Sequence, residues 1–195
     1  NLEVYQGEIL GIVGASGSGK TTLLSTLIGF VQPDKGDIEY KSGSEFSSIY
    51  DNINDVRRKF GFAAQNPSFY SKLSVRENLE YFGDLMGVDK KTVLNNIKAL
   101  LNLMSLENDK DTISSNLSGG MQKRLDIACS LIHAPKVLIL DEPTADLDPL
   151  LRRQMWGFIK AIKKKGTTVI IASHFLKELS IMCDRLVIID KGNII

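Results

Sequence analysis

Short apolar runs alternate along the chain with longer segments in which apolar residues recur every three or four positions. The runs predict strands, and the periodic segments predict helices. The predicted strands cover residues 8–13, 59–64, 136–140, 167–172 and 185–189. Several are apolar at consecutive positions, which is typical of parallel strands buried on both faces. The alternation therefore predicts an α/β fold with a mostly parallel sheet flanked by helices.

Helices are predicted over residues 20–30 and 149–165, with a short one after His174. Asp148 is a suitable N-cap for the second of these, and Pro149 suits the first helical position. Three lysines followed by a glycine mark its end, because cations favour a helix C-terminus and glycine ends helices.

The pattern changes between the second and third predicted strands, where helices follow one another with no strand between them. Ser74 and Glu77 form a capping-box pattern that predicts a helix to about residue 86. Asp89 is expected to cap a second helix over residues 90–102. The polar stretch 34–48, rich in glycine and serine, is predicted to be a hairpin or a loop.

Composition, net charge and cysteine number exclude several kinds of protein. With 43% hydrophobic and 24% charged residues, the 195-residue chain is expected to fold as one domain. The 24 basic and 23 acidic residues leave a net charge of +1, so nucleic acid is not an expected partner and any anion needs a local site. The chain lacks an apolar run long enough to span a bilayer. Cys129 and Cys183 lie far apart, which argues against a zinc site and favours a reducing cytosol.

The segment after the first strand matches the pattern GxxxxGK[ST] and is followed by a predicted helix. Glycines let backbone N–H groups surround a phosphate chain, the lysine reaches the β- and γ-phosphates, and the threonine offers a hydroxyl to Mg²⁺. A glycine-rich turn with an incidental lysine is the alternative, but the strand-loop-helix context favours phosphate binding. We call this segment the P-loop; its candidate residues are Gly14, Ala15, Ser16, Gly17, Ser18, Gly19, Lys20, Thr21 and Thr22.

Asp141 and Glu142 follow an apolar strand directly, so they are expected at the carboxyl edge of the sheet, where α/β proteins bind ligands. Asp141 is suited to holding Mg²⁺ and Glu142 to accepting a proton from an attacking water. Alone, such a pair is more often an ordinary strand end with solvated charges. The P-loop in the same chain favours the functional interpretation.

Ser118, Gly119 and Gly120 precede a helical pattern over residues 122–133. Ser118 is a natural N-cap, and the paired glycines allow close approach of another molecule to the backbone. By itself this is a simple capped helix; its exposed N-terminus is also a candidate second anion site.

These residues together resemble the ATP-binding cassette (ABC) family, in motif order and over the whole chain. The ordered matches are the P-loop, Gln65 of the Q-loop, the signature at residues 117–121, Asp141 with Glu142, Asp148 of the D-loop and His174 of the H-loop. Without the family, Gln65 and His174 would be interpreted as polar residues at strand ends.

The resemblance implies a P-loop NTPase fold in one ABC-type domain over residues 1–195. A RecA-like core would comprise 1–65 and 118–195, and a helical subdomain would be inserted at about 66–117. We expect both termini to be truncated, because the chain begins without Met and ends in an apolar run.

The resemblance also implies ATP as substrate, with Mg²⁺ held by Thr21, Gln65 and Asp141. Glu142, His174 and Gln65 would be the catalytic residues: Glu142 activates water, His174 contacts the γ-phosphate and Gln65 couples to a membrane partner. The nucleotide would also contact residues of the signature and the D-loop, namely Ser118, Gly119, Gly120 and Asp148.

Smaller features are similar to the cassettes of ABC-2-type exporters. They are Met121 in place of the usual signature glutamine, the D-loop at residues 145–149, the segment 70–78 and the segment 183–185. The aromatic residue that stacks on adenine in this family is expected to precede this chain. Tyr5 is too close to the P-loop for that role and is interpreted as a strand or turn aromatic.

The favoured hypothesis is the ATP-hydrolysing component of an ABC transporter, an exporter, at the cytoplasmic face of the cell membrane. Its partners would be an integral membrane permease and a second cassette in a head-to-tail dimer. The alternative is a soluble ABC ATPase acting on ribosomes or DNA. A nucleotide-binding regulatory module that does not hydrolyse is a third possibility, against which Glu142 and His174 argue.

Overall fold

The computed structural model describes residues 2–43 and 45–195. The strands in chain order are β1 (Ile9–Val13), β2 (Glu39–Ser42), β3 (Glu45–Ser48), β4 (Phe60–Ala63), β5 (Val137–Asp141), β6 (Thr168–Ser173), β7 (Arg185–Asp190) and β8 (Asn193–Ile194). The helices are α1 (Lys20–Leu27), α2 (Ile53–Lys59), α3 (Val75–Leu85), α4 (Lys90–Leu103), α5 (Gly119–Leu131), α6 (Pro149–Lys164) and α7 (Leu176–Met182).

Six strands form the main sheet, in the order β4-β5-β6-β1-β7-β8. The first five are parallel to their neighbours, and β8 runs antiparallel to β7. All positions of β1 and β6 are buried, which explains why their sequences are apolar at consecutive residues. The five strands predicted from the sequence are confirmed, with ends that differ by at most one residue.

Helices cover both faces of this sheet, and alternate residues of each strand point to opposite faces. On one face, Leu10 and Ile12 of β1 pack with Leu24 of α1. On the other, Ile9 and Val13 belong to a larger cluster that includes residues of α3 to α7. This two-sided burial is the layered α/β arrangement that the alternating pattern predicts.

The chain between β4 and β5 is helical, as predicted. The Ser74 amide donates to Glu77 Oε2 at 2.7 Å, the Glu77 amide donates to Ser74 Oγ at 3.2 Å, and this capping box opens α3. Asp89 caps α4 by accepting from the Thr92 amide at 3.0 Å. Apolar residues of α3 and α4 join the same cluster as the sheet, so the division into a core and a subdomain at 66–117 stays a prediction.

The structure corrects several predicted bounds. Helix α1 ends at Leu27 rather than near residue 30, because Gly29 takes a left-handed φ of 68°. Helix α5 begins at Gly119, three residues before the predicted start. Residues 34–48 contain the hairpin of β2 and β3, and the elements α2 and β8 were not predicted. Within residues 2–43 and 45–195, no helix combines the length and apolar character that crossing a membrane requires.

Candidate functional site

The carboxyl ends of β1, β5 and β6 bring four of the predicted site elements to one edge of the sheet. β6 lies between β5 and β1 in the strand order, and all three run parallel. The P-loop therefore follows β1, Asp141 ends β5 with Glu142 directly after it, and His174 follows β6. Residues more than a hundred positions apart in sequence meet here because parallel strands end at the same edge.

The P-loop turns directly from β1 into α1. Gly19 is the N-cap of α1 with a φ of 103°, and no side chain caps the helix there. The first amide groups of a helix have no partner within the helix, so they are available to an anion. At Gly14 a Cβ atom would collide with the Ile189 carbonyl oxygen and the Ser18 hydroxyl, so only glycine fits.

Lys20 lies across the mouth of this loop. Its Nζ donates to the carbonyl oxygens of Gly14 at 2.8 Å and Ala15 at 3.1 Å, and lies 3.7 Å from Glu142 Oε1. The residue is 7% exposed, so its positive charge is held within the site. An ammonium in this place can pair with the phosphate chain of a nucleotide bound by the loop.

Asp141 accepts a 2.7 Å hydrogen bond from Thr21 Oγ1 through its Oδ2. The residue is 2% exposed, and its buried Oδ1 has no hydrogen-bond partner among the described residues. Burial raises the pKa of Asp141, while the Thr21 hydrogen bond opposes that rise. Threonine and aspartate oxygens, with one acceptor unused, fit the oxygen ligands that Mg²⁺ prefers.

Glu142 begins a tight turn and takes a φ of 51°, unusual for a residue with a side chain. The turn is held by two backbone hydrogen bonds: the Glu142 amide donates to the Ala172 carbonyl at 2.9 Å, and the Ala145 amide donates to the Glu142 carbonyl at 3.2 Å. Glu142 Oε2 lies 3.0 Å from His174 Nδ1. The carboxylate thus has Lys20 on one oxygen and His174 on the other.

The signature residues lie at the N-terminus of α5. Ser118 Oγ accepts from the Met121 amide at 3.3 Å, which confirms its predicted capping role. Gly119 is exposed, and Gly120 is buried against the side chain of Leu151. In the part of the chain that the structure describes, no hydrogen bond or ion pair joins these three signature residues to the P-loop.

Three other predicted site residues form no side-chain hydrogen bond or ion pair, among the described residues, with the linked group of Lys20, Asp141, Glu142 and His174. Asp148 Oδ1 caps α6 by accepting from the Leu150 and Leu151 amides, both at 2.9 Å. Gln65 is exposed two residues beyond β4, and its carbonyl accepts from Lys123 Nζ at 2.7 Å. Thr22 is exposed on the first turn of α1. Their roles toward a nucleotide stay predictions.

Two residues of α5, Lys123 and Asp126, bond to the segment that contains Gln65 and Ser68, and the sequence analysis did not single them out. Besides the Lys123 contact, Asp126 Oδ1 accepts from the Ser68 amide at 2.8 Å and from Ser68 Oγ at 2.9 Å. Burial raises the pKa of Asp126 and lowers the pKa of Lys123. An acidic residue among the apolar positions of α5 was the available signal.

Tyr5 lies at the opposite end of β1 from the P-loop. Its ring is 4.6 Å from the Arg185 guanidinium, and the residue is 55% exposed just before a turn. This position agrees with the interpretation of Tyr5 as a turn aromatic.

Comparison with known proteins gives consistent matches. A family model described as ABC transporter matches residues 1–145. The chain is 37% identical over 192 residues to the Nod factor export ATP-binding protein I of Burkholderia lata, covering 98% of this chain and 62% of that protein. It is 36% identical over 196 residues to the bacitracin transport ATP-binding protein BcrA of Bacillus licheniformis, covering 100% of this chain and 62% of that protein.

A solved structure is also similar. This structure, of cbiO1 from Clostridium perfringens, part of the ABC transporter complex cbiONQ, has a TM-score of 0.89 and 30% identity. The match covers 100% of this chain and 78% of that one, and it confirms the predicted P-loop NTPase fold. The chain spans 62% of the length of the two curated relatives named above.

Proposed function

This chain belongs to the ABC transporter family, and we propose that it binds and hydrolyses ATP to power export through a membrane partner. The observation that supports this most is the convergence of Lys20, Asp141, Glu142 and His174 at the sheet edge beside a helix N-terminus. The export direction is supported by the Nod factor export relative and by Met121 in the signature.

ATP would bind with its phosphates on the P-loop. The free amide groups at the start of α1 and the Lys20 ammonium supply positive charge along the β- and γ-phosphates. Mg²⁺ would be held by Thr21, Asp141 and Gln65. When bound, it neutralises charge that develops on the phosphates.

Glu142 is the proposed general base. Its Oε1 would take a proton from the attacking water while its Oε2 stays beside His174 Nδ1 at 3.0 Å. His174 would contact the γ-phosphate and hold the carboxylate in one orientation. Phosphoryl transfer needs mainly positioning and charge stabilisation, and these two groups supply both from fixed strand ends.

The signature residues would act on a second cassette. Ser118, Gly119 and Gly120 lie at the N-terminus of α5, where Ser118 and Gly119 are exposed, and the three have no polar link to the P-loop of the same chain within the described residues. In a head-to-tail dimer, this terminus would complete the nucleotide site of the other copy, with Asp148 at the same interface. The Glu142→Gln protein is expected to elute as a dimer with ATP and as a monomer without nucleotide.

The membrane permease would dock on the helical segment near Gln65, which would place this chain at the cytoplasmic face of the membrane. Tyr70 and Tyr81 are 48% and 41% exposed, with their hydroxyls 3.1 Å apart. Leu85 continues the exposed apolar surface along α3. Clustered exposed aromatics are typical of protein interfaces.

Phosphate release by the full-length protein tests the proposal. Wild-type protein is expected to release phosphate from ATP when Mg²⁺ is present. Lys20→Met should reduce the rate at least ~10²-fold, because it removes a charge aimed at the phosphates. Lys91→Met, at an exposed lysine on α4, is the matched control and should be as active as wild type. Phosphate release that is equal in both variants would contradict the site.

A further inference from the structure

Glu178 of α7 accepts hydrogen bonds from three side chains, all of them in the segment between β5 and the end of α6. Its Oε2 accepts from Thr144 Oγ1 at 3.3 Å and from Trp156 Nε1 at 3.1 Å, and its Oε1 accepts from Arg152 Nη1 at 2.8 Å. Thr144 is 1% exposed and Trp156 is 3% exposed. The proposed chemistry makes no use of this carboxylate.

The first of these contacts holds the turn that carries Glu142. Both Glu142 and Asp146 take a left-handed φ in this turn, 51° and 60° respectively. Residues with a Cβ adopt such angles only where surrounding contacts hold them, and they cluster at functional sites. Thr144 lies between the two, so its bond to Glu178 fixes the middle of the turn.

The second link leads to His174. Phe175 packs its ring against His174, with centroids 3.9 Å apart. The Arg152 guanidinium that pairs with Glu178 lies 4.6 Å from the centre of that same Phe175 ring. In addition, the Glu178 amide donates to the Phe175 carbonyl at 3.1 Å. The Arg152 guanidinium, paired with the Glu178 carboxylate, therefore contacts the residue that packs against His174, and the Glu178 backbone bonds to that same residue.

A third link reaches the segment that includes Asp148. Arg152 Nη2 donates to the Leu147 carbonyl at 3.1 Å. Arg152 lies on the first turn of α6, the helix that Asp148 caps. The ion pair therefore joins α7 to the D-loop as well as to the two turns.

We propose that Glu178 is a positioning residue for hydrolysis, which sets the spacing between Glu142 and His174 by holding both turns against α6. The inference rests on the proposed ATPase function. Glu178 would not touch the nucleotide, since its side-chain oxygens are taken up by Thr144, Arg152 and Trp156, none of which belongs to the P-loop. It should therefore affect turnover and leave nucleotide binding unchanged.

The test uses Glu178→Ala and Glu178→Gln in the full-length protein, with Glu107→Gln as an exposed acidic control. Glu178→Ala is expected to lower kcat ~10²-fold, since misplacement of reacting groups by about 1 Å has effects of that size. Glu178→Gln keeps an acceptor oxygen but loses the charge that faces Arg152, so an intermediate loss is expected. The ATP dissociation constant should stay within about twofold of wild type in both, because the P-loop contacts remain.

Two further measurements separate positioning from general loss of structure. The far-ultraviolet circular dichroism spectrum and the melting curve report whether each variant is folded; Trp156 emission does not serve this purpose, because its Nε1 donates directly to Glu178 Oε2. In the Glu142→Gln background, Glu178→Ala should lower the residual rate by a smaller factor than it lowers kcat in the wild-type background, because the carboxylate is gone and only His174 remains to be positioned. A purely structural role predicts the same loss in both backgrounds.

The outcomes are distinct. Wild-type kcat in both Glu178 variants, with hydrolysis by the wild-type protein, would overturn the positioning role and leave the ATPase intact. Equal losses in the two backgrounds would also overturn it. Absence of phosphate release by the wild-type protein would overturn the proposed function and this inference together.

Discussion

The two ends of the parallel strands use acidic residues in different ways. At the amino end of β1, Asp184 Oδ2 accepts from the Ile9 amide at 2.6 Å, and both of its oxygens accept from Lys163 Nζ at 2.7 Å. Nearby, Glu8 Oε1 accepts from the Tyr5 amide at 2.8 Å and from Arg185 Nη1 at 3.0 Å. At the carboxyl end, Asp141 Oδ1 and Ser18 Oγ are buried without a hydrogen-bond partner among the described residues.

This contrast separates carboxylates that hold the fold from carboxylates available to a ligand. Buried polar groups in proteins nearly always have partners, so an unpaired oxygen at a strand end indicates capacity for a ligand. Each unsatisfied buried group costs about 1–3 kcal/mol, which a bound ligand can offset. Changes at the carboxyl end should therefore affect catalysis, and changes at the amino end should affect stability.

His174→Ala at the carboxyl end is expected to affect catalysis strongly and stability little. Loss of the imidazole removes the partner of Glu142 Oε2 and the proposed γ-phosphate contact, so kcat should fall by about 10²–10³-fold. The free energy of unfolding should change little, because the His174 side chain is 43% exposed. Steady-state ATPase assays and urea unfolding of the same preparation measure both quantities. A loss of stability without a loss of rate would contradict the assignment of the carboxyl end to catalysis.

Asp184→Ala is the matching change at the amino end. It leaves the Ile9 amide without its acceptor and Lys163 without its partner, so the protein should lose about 1–3 kcal/mol of unfolding free energy. Activity per folded molecule should be that of wild type. Asp190→Ala, at an exposed aspartate of β7, is the control for removing a charge near the same strand. Chemical denaturation should show this loss of unfolding free energy for Asp184→Ala and little change for Asp190→Ala.

Asp141→Asn should separate stability from function in one residue. Burial raises the pKa of Asp141, which means that the ionised carboxylate is less stable in the folded protein than in the unfolded chain. A neutral amide that still accepts from Thr21 should therefore raise unfolding free energy by about 0.5–2 kcal/mol while it abolishes Mg²⁺-dependent hydrolysis. Thermal melting without nucleotide measures the change in stability, and phosphate release measures the loss of hydrolysis. An Asp141→Asn protein that is less stable than wild type and still hydrolyses ATP would contradict both expectations.

The smallest effect concerns pH and lies outside the site. Burial lowers the pKa of His133, whose Nε2 lies 3.0 Å from the Phe60 carbonyl oxygen. As pH falls below about 6.5, the unfolded chain takes up this proton before the folded protein does. Unfolding free energy should therefore decrease from pH 7 to pH 5 by at most about 1.4 kcal/mol per pH unit for this group. His133→Gln should flatten that dependence, which denaturant titrations at several pH values would show.

Features encoded in adjacent residues could be predicted from the sequence. The P-loop, the Ser74 capping box and the Asp148 cap each depend on residues a few positions apart, and the structure has all three elements where the pattern placed them. The consecutive apolar residues of β1 and β6 predicted burial on both faces correctly. Helix α2 was missed because its seven residues include only two apolar ones, Ile53 and Val56.

Contacts between distant segments could not be predicted in the same way. Glu178 and Thr144 are 34 positions apart, and Asp126 and Ser68 are 58 apart. Each pair meets because helices and strand ends pack together in three dimensions, and a single sequence has no local pattern that records it. The positive φ of Glu142 likewise depends on the turn and its backbone partner Ala172.

The most direct test of the central claim compares ATP binding with ATP turnover in Glu142→Gln. The variant removes the proposed base and leaves the P-loop, Lys20 and Asp141 in place. Glu142→Gln should bind ATP with wild-type affinity and have a kcat lowered by about 10²–10⁴-fold, the range for a lost general base. Phosphate release by this variant at the wild-type rate would contradict the assignment of Glu142 and, with it, the proposed site.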